Sequence, residues 1–174
     1  MNEKDRLNAL EVALNNERTE REFYLRNAKR TKNSLGKAMF EQIADEELEH
    51  QQRLQELHER WERNEKWPET FPLRVKDTLV KNILKDSVQK TDETPERDDD
   101  LKAIKTAIDF EAKGASHYAR LRDDVSDPKE KQFFDLLAKI KHEHYLSLED
   151  TEEYLTDRAS WYVKREHHGL DGAS

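Results

Sequence analysis

The chain has 174 residues, enough for one domain of ordinary size that buries most of its apolar surface. Charged residues make up 40% of it against 34% hydrophobic, and the net charge of -8 argues against a dedicated nucleic-acid partner, which needs basic surface for phosphates. The absence of cysteine excludes disulfides, thiolate zinc sites, iron–sulfur clusters and a cysteine nucleophile, while the lack of a membrane-length apolar run or an apolar leader makes a cytoplasmic protein with no membrane partner the expectation.

So high a charge would suit a disordered chain, yet the apolar residues recur at helical spacing and only four Gly and four Pro interrupt them. A first helix is predicted from about Asn2 to Lys29, with Leu7, Leu10, Ala13, Leu14, Glu17, Tyr24 and Ala28 on one stripe. Asn33 and Ser34 are candidate caps for a second, whose inward stripe reads Phe40, Ile43, Ala44, Glu47, His50, Leu54, Leu57 and Trp61. Residues 62–94 form a crossover; behind Pro72, the spacing of Leu73, Leu79, Val80, Ile83, Leu84 and Val88 predicts a short helix within it. A third core helix starts near Thr94–Pro95, a cap followed by proline at the first helical position, and carries Leu101, Ile104, Ala107, Ile108, Glu111, Ala115, Tyr118 and Leu121. Ser126-Asp127-Pro128 begins the fourth, with Phe134, Leu137, Lys141, His144, Leu148 and Leu155 inward.

Short loops make the first and second helices antiparallel, and likewise the third and fourth. The predicted fold is therefore all-α: residues 1–157 as a four-helix bundle of two helical hairpins joined by a long crossover. Residues 158–174 are expected to be an irregular C-terminal tail that docks on the bundle through Trp161 and Tyr162. Trp61 and Trp67 are assigned to cover the bundle end, and His58, His117, His142, His167 and His168 to face solvent. The run Asp98-Asp99-Asp100 suits the start of a helix, where negative charge meets the helix dipole.

A shift of 94 residues lays the chain on itself. Glu17 falls on Glu111, Tyr24 on Tyr118, Phe40 on Phe134, Ala44 on Ala138, His50 on His144 and Leu54 on Leu148. Glu47, however, falls on Lys141, so only the first half completes Glu-x-x-His. A glutamate and a histidine three residues apart share one helix face, and a carboxylate oxygen and an imidazole nitrogen can there reach one ion. Carboxylates meeting in a bundle core each cost several kcal/mol unless paired or bound to metal, which makes Glu17, Glu47, His50, Glu111 and His144 the candidate metal ligands.

The ordered set resembles the rubrerythrin-like branch of the ferritin-like di-iron carboxylate superfamily, from about Leu7 to Leu155. It consists of Glu17 seven residues before Tyr24, the run Ala44-Asp45-Glu46-Glu47-Leu48-Glu49-His50, Glu111 seven before Tyr118, and the tail from Trp161-Tyr162 to Leu170-Asp171-Gly172. The resemblance implies a ferritin-like bundle with iron, as one or two ions, or another divalent metal such as manganese or zinc. It makes Glu17 and His50 terminal ligands of one iron, Glu111 and His144 of the other, and Glu47 a bridge. The second bridging carboxylate is due at position 141, where this chain has lysine, and Gly114 stands where some relatives carry a further carboxylate. Glu20, one turn from Glu17, is a spare carboxylate.

The activity implied is peroxide reduction or Fe(II) oxidation with O2 or peroxide, in oxidative-stress defence or iron handling. The electron donor would be external, since the cysteine-rich rubredoxin domain is absent, and a homodimer is the implied assembly. Four glutamates carry four negative charges, neutralised by two divalent ions; three glutamates and a protonated Lys141 carry two, neutralised by one. Lys141 therefore predicts a mononuclear or weakly occupied site, with a neutral lysine nitrogen ligand as the alternative. The competing class is a non-enzymatic bundle that keeps the fold as a scaffold or partner-binding protein.

Overall fold

The computed structural model describes residues 2–63, 76, 78–89 and 98–170. Among these residues there are six helices and no strand: α1 (Glu3–Arg30), α2 (Ser34–Glu62), α3 (Val80–Gln89), α4 (Asp98–Asp124), α5 (Pro128–Thr156) and α6 (Arg158–Leu170). Short polar residues start them. Asn2 accepts from the Asp5 amide at 2.9 Å and Asn33 from that of Gly36 at 2.8 Å. Asp127 accepts from the amides of Lys129 and Glu130, with Pro128 at the first helical position, where its missing N–H costs nothing.

α1 packs along α2 and α4 along α5. Two apolar clusters fill the interior. One joins Leu10, Leu14, Leu54, Leu57, Tyr118 and Phe134; the other joins Tyr24, Phe40, Ile43, Ile104, Ala107 and Leu148. α1 and α5 run from the first cluster to the second, α2 and α4 from the second to the first. Each hairpin is thus antiparallel, and α4 starts at the end where α2 started. α3, which follows α2 in the chain, buries Val80 and Leu84 in the second cluster, at the end of the bundle where α4 begins, against α2 and α5.

Between the two clusters every core helix presents buried polar groups: Glu17 and Glu20 on α1, Glu47 and His50 on α2, Glu111 on α4, Lys141 and His144 on α5. The bundle is therefore apolar, polar and apolar again along its length. Each large side chain in the flanking clusters contributes about 1.5–3 kcal/mol of burial, which offsets the desolvation of the belt.

Three expectations are corrected. The tail is helical as α6, since Asp157 caps it by accepting from the Ser160 amide at 3.0 Å and the Ser160 hydroxyl at 2.7 Å. Trp161 is buried beside Tyr154 and donates its Nε1–H to Asp150 at 2.6 Å, while Tyr162 is exposed. His58 is buried, not solvent-facing, because Glu11 on α1 and Glu62 flank its ring nitrogens at 3.5 and 3.6 Å. His117 is half-buried and only His142 is exposed; the side chains of His167 and His168 lie outside the described residues. Trp61 is buried against Phe134 with Arg6 over its ring. Trp67, Pro72, Leu73, the Thr94–Pro95 cap and residues 171–173 also lie outside the described residues. No helix among the described residues is long and apolar enough to cross a membrane.

Candidate metal centre

The five predicted ligands converge in the polar belt as two groups that share Glu47. Glu17, Glu47 and His50 form one; Glu47, Glu111 and His144 form the other; in each, one donor atom per residue lies within 4.8 Å of the others. His50 Nδ1 is 3.5 Å from Glu17 Oε2 and 3.5 Å from Glu47 Oε2. His144 Nδ1 is 3.4 Å from Glu111 Oε2 and 3.7 Å from Glu47 Oε1. The two imidazoles stack with centroids 6.2 Å apart.

Each of these five residues holds one buried atom with no hydrogen-bond partner: Glu17 Oε2, Glu47 Oε2, His50 Nδ1, Glu111 Oε2 and His144 Nδ1. Leaving a polar group buried and unpaired costs about 1–3 kcal/mol, more when it is charged. Carboxylate oxygens and imidazole nitrogens are suited to a divalent first-row metal, so the donor set fits the ion that the pattern implies.

The remaining oxygens are held by tyrosines that cross between the repeats. Tyr24 on α1 donates to Glu111 Oε1 on α4 at 2.5 Å, and Tyr118 on α4 donates to Glu17 Oε1 on α1. This exchange follows the 94-residue register and fixes each carboxylate with one oxygen turned inward.

Lys141 occupies the middle of the belt. Its Nζ donates to Glu20 Oε2 at 2.5 Å and Glu47 Oε1 at 2.7 Å, and lies 3.4 Å from Glu17 Oε1 and 3.6 Å from Glu111 Oε2. Burial disfavours its charge, but the carboxylates of Glu111, Glu20 and Glu47 outweigh that and hold the amine well above its ordinary range. As placed, its Nζ acts as a hydrogen-bond donor to Glu20 and Glu47. Burial likewise pushes Glu47 up, but Lys141 and then His50 bring it down to about 2.

Glu20 is the partner that spacing alone left as a spare. It adds a fourth carboxylate to the three counted against Lys141. The signal for it was a second mismatch in the repeat: Glu20 falls on Gly114 just as Glu47 falls on Lys141. A Cβ at Gly114 would lie 3.1 Å from Lys141 Cδ and 3.3 Å from its Cε. The missing side chain at 114 is the space that the lysine stem fills, and Glu20 receives its head. Two departures from the repeat are one packing arrangement.

Glu46 is the other residue that spacing missed, since it sits beside the ligand Glu47 but one step off the stripe. Its Oε2 takes a hydrogen bond from His144 Nε2 at 2.6 Å, and its Oε1 accepts from the Leu79 amide at 3.0 Å at the entry to α3. Burial of Glu46 is outweighed by these bonds, above all that from His144, which bring its carboxyl down to about 2. Burial lowers the pKa of the His144 imidazole, but Glu111 and then Glu46 outweigh it and raise it to about 10, so in the metal-free chain Nδ1, which faces the belt, carries a proton that a metal would displace. The crossover helix thus orients a ligand on α5 through a side chain of α2. The equivalent position on the other side, residue 140, is isoleucine, so His50 has no such carboxylate from α5.

The rubrerythrin family model matches residues 8–152, which span all four core helices and the whole belt. No curated protein and no solved structure matches the chain.

Proposed function

The chain belongs to the rubrerythrin family, and from that premise we propose that it is a non-haem iron protein that holds its metal in the belt, with Glu17, Glu47, His50, Glu111 and His144 as the candidate ligands. What carries this reading is the set of five buried donor atoms without partners, one from each residue, turned into the same space. Held there, iron would supply an Fe(II)/Fe(III) couple suited to peroxide reduction or Fe(II) oxidation. Reduction of hydrogen peroxide to water takes two electrons and two protons per molecule, and the electrons come from an external donor. Tyr24 and Tyr118 keep the carboxylates oriented, Glu46 holds His144 Nε2 so that Nδ1 faces the belt, and the apolar clusters on either side keep bulk water from the belt.

The test is to strip the purified protein of metal, load it anaerobically with Fe(II), and follow iron content and oxidation on adding peroxide. Bound iron that peroxide oxidises faster than free Fe(II), and that a donor restores, supports the reading. Protein that retains no iron overturns it.

A second reading is favoured by one observation, the four carboxylates within 3.6 Å of Lys141 Nζ. In that reading the lysine is the belt's own cation and the bundle is a metal-free scaffold. Retention of iron in the same experiment separates the two.

A further inference from the structure

Lys141 does not affect the two halves of the centre equally. Of the four carboxylate oxygens near its Nζ, those of Glu20 and Glu17 Oε1 lie outside both ligand groups' inward faces, whereas the other two are the oxygens that face His144. It donates to Glu47 Oε1, the oxygen nearest His144 Nδ1 from that residue, and it lies 3.6 Å from Glu111 Oε2, the other oxygen that faces His144. A cation placed among those three atoms would have the ammonium as its immediate neighbour, and like charges at such a distance repel strongly in a buried site.

The other half is left open. His50 Nδ1 faces Glu17 Oε2 and Glu47 Oε2, and all three atoms lack a hydrogen-bond partner. Lys141 pairs with Glu17 and Glu47 through the other oxygen of each, Oε1 in both cases. Tyr118 also takes Glu17 Oε1, so Oε2 is the atom that remains for an ion. The residues are 1% exposed or less, so water does not satisfy them from the surface.

Building on the metal-binding reading above, we infer that the centre is mononuclear and one-sided: a single divalent cation bound by Glu17 Oε2, Glu47 Oε2 and His50 Nδ1, with the Lys141 ammonium in place of a second ion at the Glu111–His144 half. Two carboxylates and one imidazole form a hard-to-borderline set suited to Mn(II), Fe(II) or Zn(II), with the remaining coordination positions left for water or substrate. Glu47, a bridge in the two-metal arrangement, becomes a link between an ion and an ammonium.

Equilibrium dialysis of the metal-stripped full chain against Mn(II) tests this, with metal counted by elemental analysis and the bound ion examined by electron paramagnetic resonance. The expected result is one Mn(II) per chain with the signal of an isolated ion. His50→Ala should weaken Mn(II) binding at least tenfold more than His144→Ala does, and Glu17→Gln at least tenfold more than Glu111→Gln. Circular dichroism of each variant separates loss of a ligand from loss of the fold. Should a variant fail to fold, the unsubstituted chain still decides through stoichiometry and signal. Two Mn(II) per chain with an exchange-coupled signal would overturn the one-sided site, and so would binding that depends on His144 rather than His50; either leaves the metal-binding reading standing. No binding by the folded chain overturns both.

Discussion

Lys141 donates a hydrogen bond at 2.7 Å to Glu47, the residue 94 positions earlier that occupies its own place in the other half of the repeat. Where a symmetric centre would set carboxylate against carboxylate across the pseudo-two-fold axis and need metal to hold them, this chain sets a base against an acid. Replacing Lys141 by glutamate should reverse both consequences. Lys141→Glu is expected to lower the stability of the metal-free protein by about 3–5 kcal/mol, the cost of leaving buried charges uncompensated. It should also raise the metal content by one ion per chain, and recover stability on loading. Thermal unfolding with and without Mn(II), alongside metal analysis, checks this; an unchanged metal-free melting temperature would show that the ammonium does not hold the belt together.

Gly114 and Lys141 should be energetically coupled. Alanine normally gains about 1 kcal/mol over glycine inside a helix. Here its methyl would press on a lysine stem held by carboxylates at its far end, and overpacking costs about 1–3 kcal/mol. Gly114→Ala is therefore expected to destabilise the unsubstituted protein yet stabilise the Lys141→Ala background. Denaturant unfolding of the four members of this cycle gives the coupling, and simple additivity would contradict the shared space.

The tyrosines should report which half holds the ion. Removing a partner of a metal-ligating side chain typically costs 10–100-fold in affinity. Tyr118→Phe frees Glu17 and should weaken Mn(II) binding in that range, while Tyr24→Phe frees Glu111 and should change it much less. In the metal-free state both should lose about 1–3 kcal/mol, because each leaves a buried oxygen without its donor. Isothermal titration and unfolding of the two variants separate these effects; equal losses of affinity would argue for a symmetric centre.

Glu46→Ala should be felt in two helices at once. It removes the partner of His144 Nε2 and that of the Leu79 amide, each a loss of about 1–3 kcal/mol if left unpaired. Hydrogen exchange should quicken at Leu79 and through the first turn of α3, with α1 unaffected. Exchange that stays slow there would mean that α3 is held by Val80 and Leu84 alone.

α6 should come away without taking the bundle with it. Among the described residues α6 packs chiefly on α5, and a free helix of 13 residues is marginal in water. Trp161→Ala, a truncation of a kind that costs about 3–5 kcal/mol in a core, should abolish the helical signal of α6 and expose residues 158–170 to protease. Metal binding in the belt should persist.

What could be read in the sequence was whatever periodicity and register carry. The stripe positions from Phe40 to Trp61 on α2 and from Phe134 to Leu155 on α5 are buried as the 3.6-residue period requires. The repeat brought Glu17, Glu47, His50, Glu111 and His144 to notice and marked Lys141 as the odd member. The helix of the tail was not legible, because its only deeply buried described side chain is Trp161 and its start depends on a cap at Asp157 that resembles any surface aspartate. Glu46 was missed and His58 misplaced because their partners come from distant segments, Leu79 and Glu11, and spacing along one helix does not reveal what another brings. Glu20 was within reach. Its pairing with Gly114 in the repeat was visible, but the meaning depends on the length of a lysine side chain measured across the bundle.

The Lys141 ammonium also bears on the order of events when the chain is made. Carboxylates gathered in a core without a counter-ion oppose collapse, and proteins built that way tie their folding to metal supply. Here the positive charge arrives on α5, covalently attached, at the same moment as the helices that need it. Closure of the bundle therefore need not wait for an ion to neutralise the belt.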